Sequence, residues 1–258
     1  VDRMVELFRG VRKALKPDGT LWLNLGDSYA STSKGSGGAS QKQTSNAGSF
    51  YDARKLILPD GLKPKDLCGI PWRVALALQA DGWWLRSDII WHKPNPMPSS
   101  VTDRPTSSHE YLFLLTRSAR YYYDAEAIKE KATGSSNRNT ERRFDTSYGK
   151  SRSDHAARGI PWDGSDYRNK RSVWTMPTRP FKGSHFAVMP PNLVEPCIKA
   201  GSRVGDLVLD PFSGAATVGL VARRLQRRYI GLELNADYCE MGRRRIESDA
   251  PLFNRGPG

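Results

Sequence analysis

Apolar and polar positions follow two different periods in the first 30 residues of the chain. In residues 1–15, VDRMVELFRGVRKAL, apolar side chains recur every three to four positions, which predicts a helix with one apolar face. The turn sequence KPDG follows, and TLWLNLGD then has the composition of a short buried strand that ends at Gly26 and Asp27. The opening is therefore half of a βαβ unit, without its first strand.

The middle of the chain mixes regular and irregular patterns. Residues 71–81 have the pattern of a helix, residues 83–91 that of a strand, and HEYLFLLTRSARYYYD predicts a strand pair or hairpin. Residues 31–49 are rich in Gly, Ser, Thr and Gln, which predicts a flexible loop. From about residue 125 to 182 no apolar period survives.

Strands and helices alternate again in the last part of the chain. The successive segments are NLVEPCIKAG (helix), DLVLDPF (buried strand), TVGLVARRLQ (helix), RYIGLELN (strand) and ADYCEMGRRRIESD (basic helix). Repetition of strand and helix in this order predicts a parallel, doubly wound sheet.

The net charge of the chain indicates what kind of partner it binds. The 258 residues carry 40 Lys and Arg against 27 Asp and Glu, a formal net charge of +13. Such an excess favours a polyanion such as nucleic acid, although a solvated basic surface would have the same composition. In the segment 125–182, basic residues stand among aromatic ones, which suits phosphates and unstacked bases; a disordered basic linker is the alternative. The basic candidates for DNA contacts there are Arg142, Arg143, Lys170 and Arg171.

Cysteine usage and hydropathy narrow the class of protein. The three cysteines are far apart, and none has metal-ligand spacing relative to another, so we expect reduced thiols and no metal site. No stretch approaches the roughly 20 apolar residues of a membrane span, and no membrane association is expected.

A candidate ligand site lies where two predicted strands end. Asp210 ends the strand LVLD, Gly214 stands in the turn that follows, and Glu233 ends the next strand. Ligands of parallel sheets bind beyond the carboxyl ends of the strands, and an acid at the second strand suits ribose hydroxyls. Only one glycine is present, so a nucleoside without pyrophosphate, such as S-adenosylmethionine, fits better than a dinucleotide. A structural turn with a surface glutamate is the alternative.

A family resemblance covers nearly the whole chain. VLDPFSGAATVGLVARRLQRRYIGLELNADY resembles the cofactor-binding segments of DNA amino-methyltransferases, which act on adenine N6 or cytosine N4. HFAVMPPNLVEPCIKAG, LKPDGTLWLNLGDSYA, DIIWHKPNPMPSSVTDRPTSSHEYLFLLTRSARYYYD and SVWTMPT resemble the circularly permuted, beta-type branch in its order. The resemblance implies a Rossmann-like α/β sheet of the class I methyltransferases with an inserted target-recognition region. It divides the chain into a target-base half (1–124), a recognition insert (125–182) and a cofactor-binding half (183–258).

The resemblance also implies partners and residue roles. S-adenosylmethionine is the expected cofactor and double-stranded DNA the expected substrate, in the cytoplasm of a bacterium and encoded by the bacterium or a phage. Family members often carry Gly where Ala216 stands, so a tighter pocket is expected here. The residues that map to the cofactor site are Asp210, Pro211, Phe212, Gly214, Thr217, Glu233, Asn235 and Phe186.

Four further residues are candidates for substrate contacts. Asn24 and Asp27 end the first strand near the expected target base, but each could equally be a turn former or a helix cap. Lys93 and Asn95 in WHKPNP could contact DNA phosphate or line the base pocket, and a rigid Pro-containing turn is the alternative.

One family motif is absent. The catalytic tetrapeptide Asp/Ser/Asn-Pro-Pro-aromatic precedes, in the family, the helix that here begins at Val1, and the chain does not contain it. The strand that carries this tetrapeptide is expected between LVLD and LWLNLG, so one or more N-terminal strands would be missing. The catalytic residues therefore stay unidentified, and we expect the chain alone to be weakly active or inactive. A separate N-terminal piece or second chain would complete it; a non-catalytic DNA-binding remnant is the alternative. The branch slightly favours cytosine N4 over adenine N6, and a partner restriction endonuclease, an orphan role and a phage role all stay open.

Overall fold

The computed structural model of the 258-residue chain describes residues 1–30, 61–131, 167–178 and 189–249. Three of the candidate site residues, Arg142, Arg143 and Phe186, lie outside these ranges.

The N-terminal half contains the helices and strands that the periodicity predicts. They are α1 (Asp2–Ala14), β1 (Thr20–Leu25), α2 (Ile70–Ala80), β2 (Trp84–His92) and β3 (His109–Thr116). The predicted hairpin after residue 109 is wrong, because only its first half is a strand. Beyond Thr116 the backbone binds the turn before β1 instead, where the Tyr122 amide donates to the Asp18 carbonyl at 2.8 Å.

Helices cover both faces of a four-stranded sheet with the order β1-β3-β2-β6, in which β6 is Val173–Thr175. β3 is antiparallel to β1 and β2, and β6 is parallel to β2. Successive side chains of β3 point to opposite faces. Phe113 and Leu115 pack with Phe8 of α1 and Leu78 of α2, while Leu112 packs with α3 (Pro191–Gly201).

The predicted insert contributes directly to this sheet. β6 comes from its last part, and Trp174 within β6 is only 4% exposed. At the start of the insert, a 3₁₀ turn (Glu126–Ile128) precedes β4 (Glu130–Lys131), which pairs antiparallel with β5 (Tyr167–Arg168). The division of the chain at 125 and 182 stays a prediction.

The C-terminal segment has the predicted parallel strands in a second sheet. Its elements are β7 (Leu207–Asp210), α4 (Thr217–Arg224), β8 (Arg228–Gly231) and α5 (Ala236–Asp249), and β7 is parallel to β8. Val208 packs on a cluster formed by α3 and α4. The expected burial of the LVL strand is incomplete, because α3 and α4 cover one face while Leu207 is 46% exposed.

A cavity of about 780 Å³ separates the two sheets. Among the described strands, β1 pairs only with β3 and β7 only with β8, so each leaves an edge towards this cavity. At one end the Lys16 ammonium, before β1, lies 2.7 Å from the Asp206 carboxylate, before β7. The amino ends of the two strands are therefore adjacent, and Asn24 near the end of β1 lines the same cavity as Asp210 at the end of β7.

Candidate cofactor and substrate site

The loop between β7 and α4 turns sharply directly after the strand. The Asp210 carboxylate accepts a hydrogen bond from the Phe212 amide at 3.0 Å, and the Ala216 amide donates to the Ser213 carbonyl at 2.8 Å. Gly214 and Ala216 both have left-handed backbone angles, with φ of 48° and 53°. This conformation is natural for glycine and unfavourable for alanine, so the loop needs support from its surroundings.

Glu233 provides part of that support. One oxygen of its carboxylate accepts a hydrogen bond from the Gly214 amide at 2.8 Å, and the other accepts one from the Asn235 amide at 2.9 Å. The two acids that the sequence places at strand ends are thus joined through one loop. Burial and the nearby Glu233 together raise the pKa of Asp210. A site that already disfavours two negative charges gains from a cationic ligand.

A hydroxyl pair beneath the loop was not anticipated from the sequence. The Ser213 hydroxyl lies 2.7 Å from the Tyr229 hydroxyl, and burial raises the pKa of Tyr229 to about 12. A Cβ at Gly231 would lie 2.4 Å from the Tyr229 hydroxyl and 2.7 Å from the Ser213 hydroxyl. Gly231 therefore leaves the room that this pair needs.

The candidate cofactor residues fall into two groups. Asp210, Pro211, Phe212, Gly214 and Thr217 border the cavity, whereas Glu233 and Asn235 do not line it. The raised pKa of the Asp210 carboxyl beside a glycine-containing turn suits a positively charged ligand, so the residues that border the cavity fit S-adenosylmethionine. When bound, this cofactor supplies an electrophilic methyl group on a sulfonium.

The candidates at the end of β1 make local contacts. The Asn24 side-chain amide donates to the Tyr111 carbonyl at 3.0 Å, and Asn24 lines the cavity. The Asp27 carboxylate accepts hydrogen bonds from the Ser28 amide at 2.8 Å and from the Ile70 amide at 3.0 Å. Since Ile70 is the first residue of α2, this geometry matches the helix-cap alternative for Asp27.

Lys93 and Asn95 also have partners within the protein. The Lys93 ammonium forms an ion pair with Glu110 and lies 4.4 Å from the centre of the Trp91 ring. The side chains of Lys93 and Glu110 are only 18% and 25% exposed. The Asn95 side chain exchanges two hydrogen bonds with the Thr178 backbone, at 3.0 and 3.2 Å. These contacts tie the turn after β2 to neighbouring segments.

The basic candidates at the end of the predicted insert lie against aromatic and acidic side chains. The Lys170 ammonium is 5.0 Å from the centre of the Trp174 ring. Arg171 lies 2.5 Å from Glu130, which also pairs with Arg168 at 3.0 Å. Among the described interactions, no contact joins Lys170 or Arg171 to the loop between β7 and α4.

The described ranges contain neither a metal-ligand cluster nor a membrane-spanning helix. No group of three His, Cys, Asp or Glu side chains there is arranged to hold a metal ion. No helix in those ranges is long and apolar enough to span a bilayer.

Comparison with known proteins adds the family. The sequence model of a family described as DNA methylase matches residues 1–244. Type II methyltransferase M.SmaI of Serratia marcescens is 47% identical over 245 residues, covering 94% of this chain and 72% of that protein. Type II methyltransferase M.Cfr9I of Citrobacter freundii is 44% identical over 249 residues, covering 96% and 72%.

Solved structures of low sequence identity share the fold. The PvuII cytosine-N4-specific DNA methyltransferase has a TM-score of 0.59 at 18% identity, covering 97% of this chain and 76% of that one. M1.HpyAVI in complex with S-adenosylmethionine has a TM-score of 0.55 at 16% identity, covering 93% and 81%. The α/β architecture is that of the class I methyltransferases. The chain belongs to the DNA methylase family, a family of enzymes with S-adenosylmethionine as cofactor.

Proposed function

We propose that the protein transfers a methyl group from S-adenosylmethionine to an exocyclic amino group of a base in double-stranded DNA. The observation that carries this proposal is the cavity that residues of β1 and β7 line together. Asp210 and residues of the loop between β7 and α4, hereafter the cofactor loop, line this cavity, and Asn24 lines it as well. This arrangement offers a cofactor site and a base site on the same cavity.

The chemistry requires both sites. An exocyclic amino nitrogen is a poor nucleophile because its lone pair is delocalised into the ring. A base flipped out of the duplex can present its amino hydrogens to acceptors in the protein, which helps to localise that lone pair. Most of the rate then comes from alignment of the amino nitrogen with the methyl group and from charge stabilisation.

The proposed role of residues 125–182 is target recognition. Lys170 and Arg171, with Arg142 and Arg143, would supply positive charge to DNA phosphates, and such contacts make binding salt-dependent. Replacing Arg142 and Arg143 by Gln should lower the slope of log K against log salt by about two. An unchanged slope would remove these two residues from the DNA contacts.

We propose cytosine N4 rather than adenine N6 as the methylated position. The resemblance of WLNLGDSY to its branch supports cytosine. The test is mass spectrometry of nucleosides from duplex DNA treated with the protein and isotope-labelled cofactor. Labelled N6-methyladenine without N4-methylcytosine would reverse the choice of base.

A second proposal concerns the activity of residues 1–258 alone. The acceptor tetrapeptide is absent, and the cavity runs beside two strand edges, from Thr20 to Asn24 and from Leu207 to Asp210. Backbone groups on a strand edge favour pairing with a further strand, and neighbouring strands lie about 4.8 Å apart. We propose that an additional strand carrying the acceptor fills this slot, and that without it the chain methylates DNA poorly.

The matching experiment compares residues 1–258 with the product of the same gene extended upstream to the nearest in-frame start. The longer product should methylate DNA at least tenfold faster. Equal turnover would refute the slot proposal and leave the enzyme assignment intact. If neither product methylates DNA but both bind it, the alternative of a non-catalytic DNA-binding remnant is favoured. The absence of the tetrapeptide from residues 1–258 is the observation that supports this alternative.

The relatives named Type II methyltransferases support one further proposal, that the enzyme protects DNA from a partner restriction endonuclease. DNA from cells that express the complete gene should resist an endonuclease encoded beside it, and DNA cleaved as readily as unmodified DNA would contradict this pairing.

A further inference from the structure

The C-terminal helix α5 contacts the back of the cofactor loop through two residues on one of its faces. Gly242 and Arg245 are three positions apart, so they lie on neighbouring turns of the same side of the helix. Both are directed at the stretch from Ala215 to Thr217. Neither residue belongs to the cofactor-binding set implied by the family resemblance.

Arg245 donates hydrogen bonds to the loop on both sides of Ala216, the residue with the unfavourable backbone conformation. One terminal nitrogen of its guanidinium donates to the Ala215 carbonyl at 2.8 Å and to the Thr217 hydroxyl at 2.9 Å. Ala216 lies between these two acceptors and has the left-handed conformation, with φ of 53° and ψ of 40°. The guanidinium therefore fixes the residues before and after the position where the backbone is least favourable.

Gly242 makes room for the Ala216 side chain. A Cβ built on Gly242 would lie 2.8 Å from the Ala216 Cβ and 3.6 Å from the Gly214 carbonyl oxygen. Ala216 is 3% exposed, so its methyl group has no free space to move into. A larger residue at position 242 would have to push either the helix or the loop away.

We propose that Gly242 and Arg245 are positioning residues for the cofactor loop: α5 holds Ala216 in its left-handed conformation, and the affinity for S-adenosylmethionine depends on this support. The inference rests on the assignment of the loop to the cofactor, and it extends the cofactor-binding machinery to the C-terminal helix. Neither residue needs to touch the cofactor for this effect.

The first experiment replaces Arg245 by Met, which is also unbranched and flexible but shorter, and which removes both hydrogen bonds. Arg244→Met is the matched control, because Arg244 is the adjacent, exposed arginine and pairs with Glu240 on the same helix. Equilibrium dialysis with labelled S-adenosylmethionine should give a Kd raised about tenfold for Arg245→Met and unchanged for the control. Arg245→Lys, with one ammonium in place of the fork, should fall between them.

A double-mutant cycle separates positioning from general damage. Gly242→Ala should raise the Kd about tenfold through the contact with the Ala216 methyl group. Ala216→Gly removes that methyl group and adopts the left-handed conformation without strain, so the double variant Gly242→Ala/Ala216→Gly should bind the cofactor within about threefold of the unchanged protein. Ala216→Gly should likewise recover part of the affinity lost in Arg245→Met.

In methylation assays of an active form of the protein, the same variants should raise the KM for the cofactor and leave the KM for DNA unchanged. Unchanged cofactor affinity in Arg245→Met and Gly242→Ala would overturn the proposal. Failure of Ala216→Gly to rescue either variant, with melting temperatures that fall in parallel with affinity, would also overturn it. Since dialysis needs no DNA, a protein that binds the cofactor normally but methylates no base would sink the proposed function and leave this inference standing.

Discussion

Glu233→Gln is the sharpest single perturbation of the cofactor loop. The two carboxylate oxygens accept from different donors, the Gly214 amide at 2.8 Å and the Asn235 amide at 2.9 Å. Glutamine has one oxygen and one NH₂ group in the same shape, so it can accept from only one of these amides. The backbone N–H that loses its acceptor then faces the NH₂ group of the glutamine, which is also a donor.

The size of the effect follows from those two contacts. A hydrogen bond to a charged group contributes about 1.5–3 kcal/mol, and glutamine loses one such bond and the charge of the other. If the loop must be ordered before the cofactor binds, the apparent Kd rises by the factor by which the ordered population falls. We therefore expect the Kd for S-adenosylmethionine to rise about 10- to 150-fold.

Isothermal titration with the cofactor measures this directly, and circular dichroism checks that the fold is kept. Glu240→Gln is the control, because Glu240 carries the same charge on α5 but pairs with Arg243 and Arg244 instead. A Kd for Glu233→Gln within twofold of the control would refute the reasoning. The loop would then be ordered without its link to the end of β8.

Three more outcomes are expected. Because burial and Glu233 raise the pKa of Asp210, the affinity for the cationic cofactor should increase as the pH rises through that pKa, and the stability of the free protein should fall. Cofactor titrations and thermal melting at several pH values should show these two trends, and both should flatten in Asp210→Asn. Lys93→Met leaves the half-buried Glu110 unpaired and should cost about 1–3 kcal/mol in urea unfolding, with partial recovery on adding Glu110→Gln. Trp174→Ala removes a side chain that is 4% exposed and should cost about 3–5 kcal/mol; a loss below about 1 kcal/mol would mean that β6 is dispensable.

Periodicity identified the long elements because each has enough residues to show a face. α1 follows its apolar stripe from Asp2 to Ala14, and the strand and helix around Asp210 lie where the pattern predicts. β6 could not be found this way. It has three residues and a single buried side chain, Trp174, so no period exists to detect, although SVWTMPT stands out by resemblance.

Contacts between residues that are far apart in the chain could not be predicted, because no sequence pattern links the two partners. The partner of Lys93 is 17 residues away, and the helix that Asp27 caps begins 43 residues later. Arg245 donates a hydrogen bond to the carbonyl of Ala215, which is 30 residues earlier in the chain. A basic run such as GRRRIES reads as a solvated helix face, and only the packing of α5 shows that one of its arginines points inwards.

The short ladder of β4 and β5 has a consequence for how target choice can change. Glu130 is paired with Arg168 and Lys131 with Tyr167, about 5 Å apart. The pairing therefore holds Lys131 and Tyr167 side by side, whatever number of residues joins them. If the stretch between them reads the DNA sequence, as we propose, its exchange for one of another length would alter the target while the β4–β5 pairing keeps its register.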